Sequence, residues 1–239
     1  MFILNYFKFE LKKWSRDSFT SFILVYPLLM GTAGRYLVPL IEKQMGSDLS
    51  PTYPIILVAL SMVSAKIAGA VVGFSILDDR DDNILYTVKV APLSMEVFIG
   101  LKLLLVYILS VIGTVFVLWF SNLGLLPWGT IISISLVAAI QAPLLALLIN
   151  YIASNKVEGF AAIKGLNVLI VFPVVALFFH DIKEFLFAIE PSFWPAKALY
   201  GALTGVPQQL SYSGYYITGL AYGLLATYLA YRAFAKKVY

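Results

Sequence analysis

The sequence predicts an all-α integral membrane protein, with one amphipathic helix followed by six membrane-spanning helices. Three observations predict it. The chain of 239 residues is 61% hydrophobic and 13% charged, with a mean hydropathy of +0.88, whereas a soluble domain carries roughly 25% charged residues. Six apolar runs approach or exceed the roughly 20 residues that a membrane helix needs. The basic residues collect in alternate connections between those runs, as the positive-inside bias requires. No polar stretch is long enough for a separate soluble domain, so residues 1–239 are read as a single transmembrane domain.

Residues 1–18 form the first element. Leu4, Phe7, Leu11 and Trp14 recur at three- and four-residue spacing on one helical face, with Lys8, Lys12 and Arg16 on others. A helix of this kind lies in the membrane interface. The first span, 19–41, follows Lys12, Lys13 and Arg16 and so resembles a signal peptide core. It is too long for one and no A-x-A site follows, so it is read as a retained span. The second span is 54–77, followed by a loop at 78–95. The third and fourth are 97–120 and 130–153. The fifth, 165–180, is short before His180; it is expected to continue through Phe185 to Ile189 or to end in a re-entrant piece. Residues 181–212 form an outside or re-entrant segment, and 213–234 the sixth span.

Orientation follows from charge. With the N-terminus inside, the inner segments hold Lys8, Lys12, Lys13, Arg16, Arg80, Lys89, Lys156, Lys164, Arg232, Lys236 and Lys237. The outer ones hold Lys43, Lys183 and Lys197. This bias puts both termini in the cytoplasm of a plasma-membrane protein. The absence of cysteine excludes disulfides and thiolate metal sites. The single His180 cannot build a triad or a histidine metal set. No basic stripe interleaved with aromatics suggests nucleic-acid binding.

The densest charge cluster is DDRDD, Asp78–Asp82. Read as DDxxD, its Asp78, Asp79 and Asp82 suggest magnesium held against a diphosphate in a membrane transferase, since that hard cation takes carboxylate oxygens. Such chemistry needs a second acidic motif, and Asp17, Asp48 and Asp181 stand alone. The following residues offer another reading. Asp82 or Asn83 can cap a short helix, Leu85, Val88 and Lys89 fall at helical spacing, and Pro92 ends it. The β-branched ILYTVKV run needs packing to stay helical. A solvated acidic loop is the plainer alternative.

Here the chain resembles the permease subunits of ABC-2-type ABC transporters, whose loop after the second span reads E-R-E-x-G-T-L-E-x-L-L-x-x-P-[LIV]-S. Asp79, Arg80 and Asp81 match the acid–base–acid start, and Leu85, Val88, Pro92, Leu93 and Ser94 match in register. Asn83 stands at the usual glycine, Ile84 at a small hydroxyl residue and Tyr86 at a glutamate. The layout is similar too, with an interfacial elbow helix, six spans and a proline–aromatic segment, here Pro191 to Leu203. The resemblance implies a type V exporter-like architecture, a second permease as homo- or heterodimer, and a separate ABC ATPase dimer. That ATPase would carry the ATP and magnesium, and no cofactor is expected in this chain. It implies an amphipathic small-molecule substrate, drug-like or toxic, with lipids or peptides as alternatives. Asp79, Arg80, Asp81, Asp82, Asn83, Leu85, Val88, Lys89 and Pro92 become the ATPase-coupling residues. Consistent with a non-catalytic subunit, the chain holds no G-x-x-x-x-G-K-[ST] phosphate loop.

Within the spans, Lys66 is the costliest residue, since insertion scales put a central lysine at about +3 kcal/mol. No acid is apparent at comparable depth, so its partner is open. It is read either as part of the substrate path or as a lysine in a wet bundle interior. Ser61, Ala65, Gly69 and Gly73 recur every four residues, a small-residue face for close helix packing, within the chain or across a dimer. Gln141, Asn150 and Asn167 are expected to join helices, Arg35 to reach the outer interface, and Trp14, Trp119, Trp128 and Trp194 to form interfacial belts. An ion-coupled carrier working without ATP is the rival class, although the inverted repeats common in carriers are not visible.

Overall fold

The computed structural model describes residues 2–90 and 94–238, and every regular element among them is helical. The first helix, α1 (Phe2–Arg16), ends where Asp17 takes an extended conformation and caps α2 (Ser18–Thr32), accepting from the backbone N–H of Thr20 at 2.8 Å. That cap satisfies an N–H the first turn would otherwise leave free. A π-helical stretch at Ala33–Leu37 joins α2 to α3 (Val38–Met45). Next come α4 (Tyr53–Asp81), α5 (Ile84–Val90), α6 (Met95–Phe120), α7 (Trp128–Ala138) and α8 (Gln141–Ile152). The chain finishes with α9 (Lys156–Val168), α10 (Val171–Ala176), a 3-10 turn at Ile182–Phe187, α11 (Phe193–Thr204) and α12 (Tyr212–Val238).

Five stretches are long and apolar enough to cross a membrane: Thr20–Met45, Ser50–Asp81, Met95–Phe120, Trp128–Ile152 and Lys156–Ala176. The fifth differs from the expected 165–180. It starts about two and a half turns of helix earlier and ends at Ala176, so Lys164 lies inside α9 rather than in a loop. α12 has 27 residues, about 40 Å of helix. Its tyrosines and terminal basic residues keep it out of that apolar set.

α4 and α8 are central. The apolar windows of the second and fourth stretches are 67% and 78% buried, against 17% for the first and fifth. α4 joins two apolar clusters: Leu57 to Ala65 pack with α7, α11 and Tyr215, while Ala68 to Leu77 pack with α8, Trp14 and Phe234. The small-residue face explains the close approach of α4 to α8. A Cβ on Gly69 would overlap the carbonyl of Ala142 and sit 3.0 Å from its Cα, and one on Gly73 would meet Ile149 at 2.9 Å. The Ala65 carbonyl accepts from Ser110 on α6 at 2.7 Å, and Ser61 donates to Val58 within α4. Partners from the same chain therefore fill this face, which leaves no room there for a second copy.

Both chain ends lie at one end of the bundle. Lys13 of α1 pairs with Asp79 at the end of α4, and Lys237 of α12 donates to the Tyr151 carbonyl at the end of α8. At the opposite end, Arg35 donates to the Phe120 carbonyl and lies 4.8 Å from that ring's centre. Trp119 and Trp128 stack nearby, 6.4 Å apart. The other two tryptophans correct the belt expectation. Trp14 is 1% exposed and packs in the cluster nearer the termini, and Trp194 is buried in the other.

The outside or re-entrant segment 181–212 folds against the bundle. α11 is buried from Phe193 to Leu199 among α4, α7, α10 and α12. Lys197, expected outside, is fully buried. It pairs with Glu184 at 2.6 Å and donates to the Phe179 carbonyl at 2.9 Å, just past the end of α10. Tyr215 donates to the same Glu184 carboxylate, tying α12 to the 3-10 turn.

Candidate functional site: a cavity with a buried polar pole

α9 and α12 both pack on α8, and the cleft between them is a cavity of about 570 Å3. Its shaft is apolar, lined by residues such as Leu148, Leu166, Phe172 and Ala226. Two helix interruptions frame it. α7 stops at Ala138 and α8 restarts at Gln141, which brings Gln141 to the wall; α9 and α10 break at Leu169–Ile170 on the other side. At both places the backbone stays right-handed helical and its hydrogen bonds shorten to the three-residue pattern, so each pair runs on as one tightened helix.

The polar pole is at the end away from the termini. Lys66 Nζ lies 2.9 Å from Glu190 Oε1, and both residues are buried. Glu190 Oε2 accepts from the backbone N–H of Ser192 at 2.7 Å and from its hydroxyl. The missing partner of Lys66 is thus an acid from 124 residues away, in the segment read as an outside loop. Glu190 lies between the apolar Phe185–Ile189 run and Phe193–Trp194, and these lead the chain back inward. Gln141, beside the pair, is 3% exposed, and neither end of its amide has a hydrogen-bond partner. It does not join helices as expected. Asn150 does, donating to the Gly73 and Ala146 carbonyls at 2.9 Å. Tyr151, Leu229 and Ala233 line both the cavity and an adjoining groove that carries Arg232, Lys236 and Lys237.

A second constellation sits where the termini meet. Lys102 of α6 is fully buried and lies 2.6 Å from Asp79 and 3.2 Å from Glu10 of α1, and it donates to Ser75 at 2.9 Å. Lys13 reaches Asp79 from its other side. Burial pulls the Lys13 ammonium down, but hydrogen bonding and charge from Asp79 outweigh it and hold the pKa above the ordinary lysine value. Burial, reinforced by Glu10, pushes the Tyr6 phenol up.

The acidic loop divides into an inner and an outer half. Asp79 is buried in that cluster, and Arg80 donates to the Asn150 and Ala153 carbonyls at the end of α8, so these two hold the bundle together. Asp78 pairs with Lys156 at 3.1 Å. Of the DDxxD set, Asp78 and Asp79 are thus paired with lysines and Asp82 is open. Asp81, Asp82 and Asn83 are exposed. Asn83 has φ +58°, a conformation open to glycine and readily adopted by asparagine. Asparagine therefore meets the backbone demand of the position where the ABC-2 motif has glycine. In α5, Leu85 and Val88 are buried in the core cluster, while Tyr86 is 69% exposed. Pro92 and the side chain of Lys89 lie outside the described residues.

The model of the family described as fluoroquinolones export permease protein Rv2686c-like matches residues 10–231. The chain belongs to this family. It is 30% identical over 231 residues to the fluoroquinolones export permease proteins Rv2686c and MT2760, from two strains of Mycobacterium tuberculosis. The match covers 93% of this chain and 89% of each relative. No solved structure matches. Membership makes the chain a multi-pass membrane permease and agrees with the ABC-2 resemblance of its loop.

Proposed function

We propose that the chain is the membrane subunit of an ATP-driven exporter, moving amphipathic drug-like molecules out of the cytoplasm. Family membership over residues 10–231 carries this reading, with the relatives' names favouring fluoroquinolone-like cargo. α12 supplies the sixth span, α1 is the interfacial elbow, and both termini and the acidic loop face the cytoplasm. The chain itself is non-catalytic; ATP and magnesium bind a separate ATPase dimer. α5, with Asp81, Asp82, Asn83 and Tyr86 exposed, is the surface that the ATPase grips, and Leu85 and Val88 pass its motion to the core. A second permease covers one of the little-buried faces of α2 or α9–α10, and lipid covers the other.

The test is affinity capture of the tagged full chain from its own membranes. Recovery of a phosphate-loop ATPase, lost when Tyr86 and Asp82 are both replaced by alanine, supports the proposal. Full export activity of the chain with no ATPase recovered contradicts it. The rival reading is an ion-coupled carrier, in which the buried Lys66–Glu190 pair would serve as the gate. That rival predicts uptake into inverted vesicles driven by a proton gradient without ATP.

A further inference from the structure

We propose that the cavity between α8, α9 and α12 is a binding site for a net-neutral amphiphile with an apolar body and a hydrogen-bonding head, read by Gln141. This rests on the export function proposed above and names its binding site and ligand class. Three observations carry it. The cavity, about 570 Å3, is of drug-binding size and mostly apolar. Its lysine and glutamate are paired with each other at 2.9 Å, so the pole has no net charge. Its Tyr222 is also engaged, donating to the Ile189 carbonyl at 2.8 Å. Gln141 lines the same cavity, and its buried amide has an unused donor and an unused acceptor. Buried amides in proteins are almost always partnered, and a ligand head with one acceptor and one donor supplies both partners here.

Charge sets the ligand class. An ion of either sign entering alone would leave a buried uncompensated charge. A zwitterion or a neutral carbonyl-and-hydroxyl head would not. The apolar shaft takes the body, and the groove with Arg232, Lys236 and Lys237 forms the mouth at the end carrying the termini.

The test uses the full chain in lipid nanodiscs, without the ATPase. The probes are a fluorescent zwitterionic fluoroquinolone, its cationic methyl ester and its anionic N-acetyl derivative, with affinity read by fluorescence polarisation. The zwitterion should bind about tenfold tighter than either charged derivative. Gln141→Leu, close in volume and free of the orphaned amide, should melt no lower than wild type yet bind the zwitterion about tenfold more weakly. Ala226→Trp should fill the shaft and abolish binding. Equal affinity for all three probes, or unchanged affinity in Gln141→Leu, overturns the inference. So does native mass spectrometry showing a phospholipid held by wild type, excluded by Ala226→Trp and not displaced by the probe. Transport by the assembled complex is measured separately. Gln141-dependent binding without ATP-driven transport sinks the export function and leaves the site; transport with Gln141-insensitive binding does the reverse.

Discussion

Replacing Lys66 by methionine isolates the buried pair. At 2.9 Å and an effective dielectric near 20, the attraction is about 6 kcal/mol, most of it offset by the cost of stripping both charges of water. The net worth of the pair is therefore small. Removing one member is costly, because Glu190 would then be buried with only the Ser192 donors to answer its charge. Breaking a buried pair costs about 3–5 kcal/mol, and replacing both partners is often near neutral. Lys66→Met should thus lose about 3 kcal/mol, with Glu190→Gln losing a similar amount. The double variant should lose less than about 1 kcal/mol. The assay is SDS-titrated unfolding in mixed micelles, run as a double-mutant cycle. A double variant as unstable as the sum of the singles would refute the pairing.

Three further outcomes follow from the geometry. Asp79→Asn leaves Lys102 and Lys13 facing each other and should cost about 3 kcal/mol; limited proteolysis should then cut near Asp17 as α1 detaches, and cleavage unchanged from wild type would contradict this. Gly69→Ala drives a methyl into the Ala142 backbone and should cost about 3 kcal/mol or more; Gly100→Ala, with nothing within 4 Å, should be neutral or stabilising by about 0.5–1 kcal/mol in the same melt. Asn83→Gly should keep stability within about 0.5 kcal/mol, whereas Asn83→Val should cost about 1–2 kcal/mol for a branched residue at φ +58°.

Much of the architecture was legible in local pattern. Apolar run length marked the spans, three- and four-residue spacing marked α1, and the ABC-2-like register of the loop marked α5. The small-residue face of α4 announced a close approach, although its partner, α8, is not a local matter. The sites were less legible because their members come from distant parts of the chain. Lys66 stood out as a cost, but Glu190 looked like a loop acid until the segment after Phe185 folded inward. Asp79 looked like one of several solvated acids; only the arrival of α1 and Lys102 buries it. Gln141 reads as a helix-joining amide, and nothing in its neighbourhood shows that it ends buried at a cavity wall without a partner. α12, expected as a sixth span, is not among the five stretches apolar enough to cross a membrane.

The most direct measurement is export by the chain reconstituted into proteoliposomes with the ATPase that co-purifies with it. Accumulation of a fluorescent zwitterionic fluoroquinolone inside inverted vesicles should require ATP. It should vanish with a hydrolysis-dead ATPase and fall at least tenfold in Tyr86→Ala, while that variant still reaches the membrane in the wild-type amount. Accumulation that continues without ATP, or with the ATPase left out, would contradict the account.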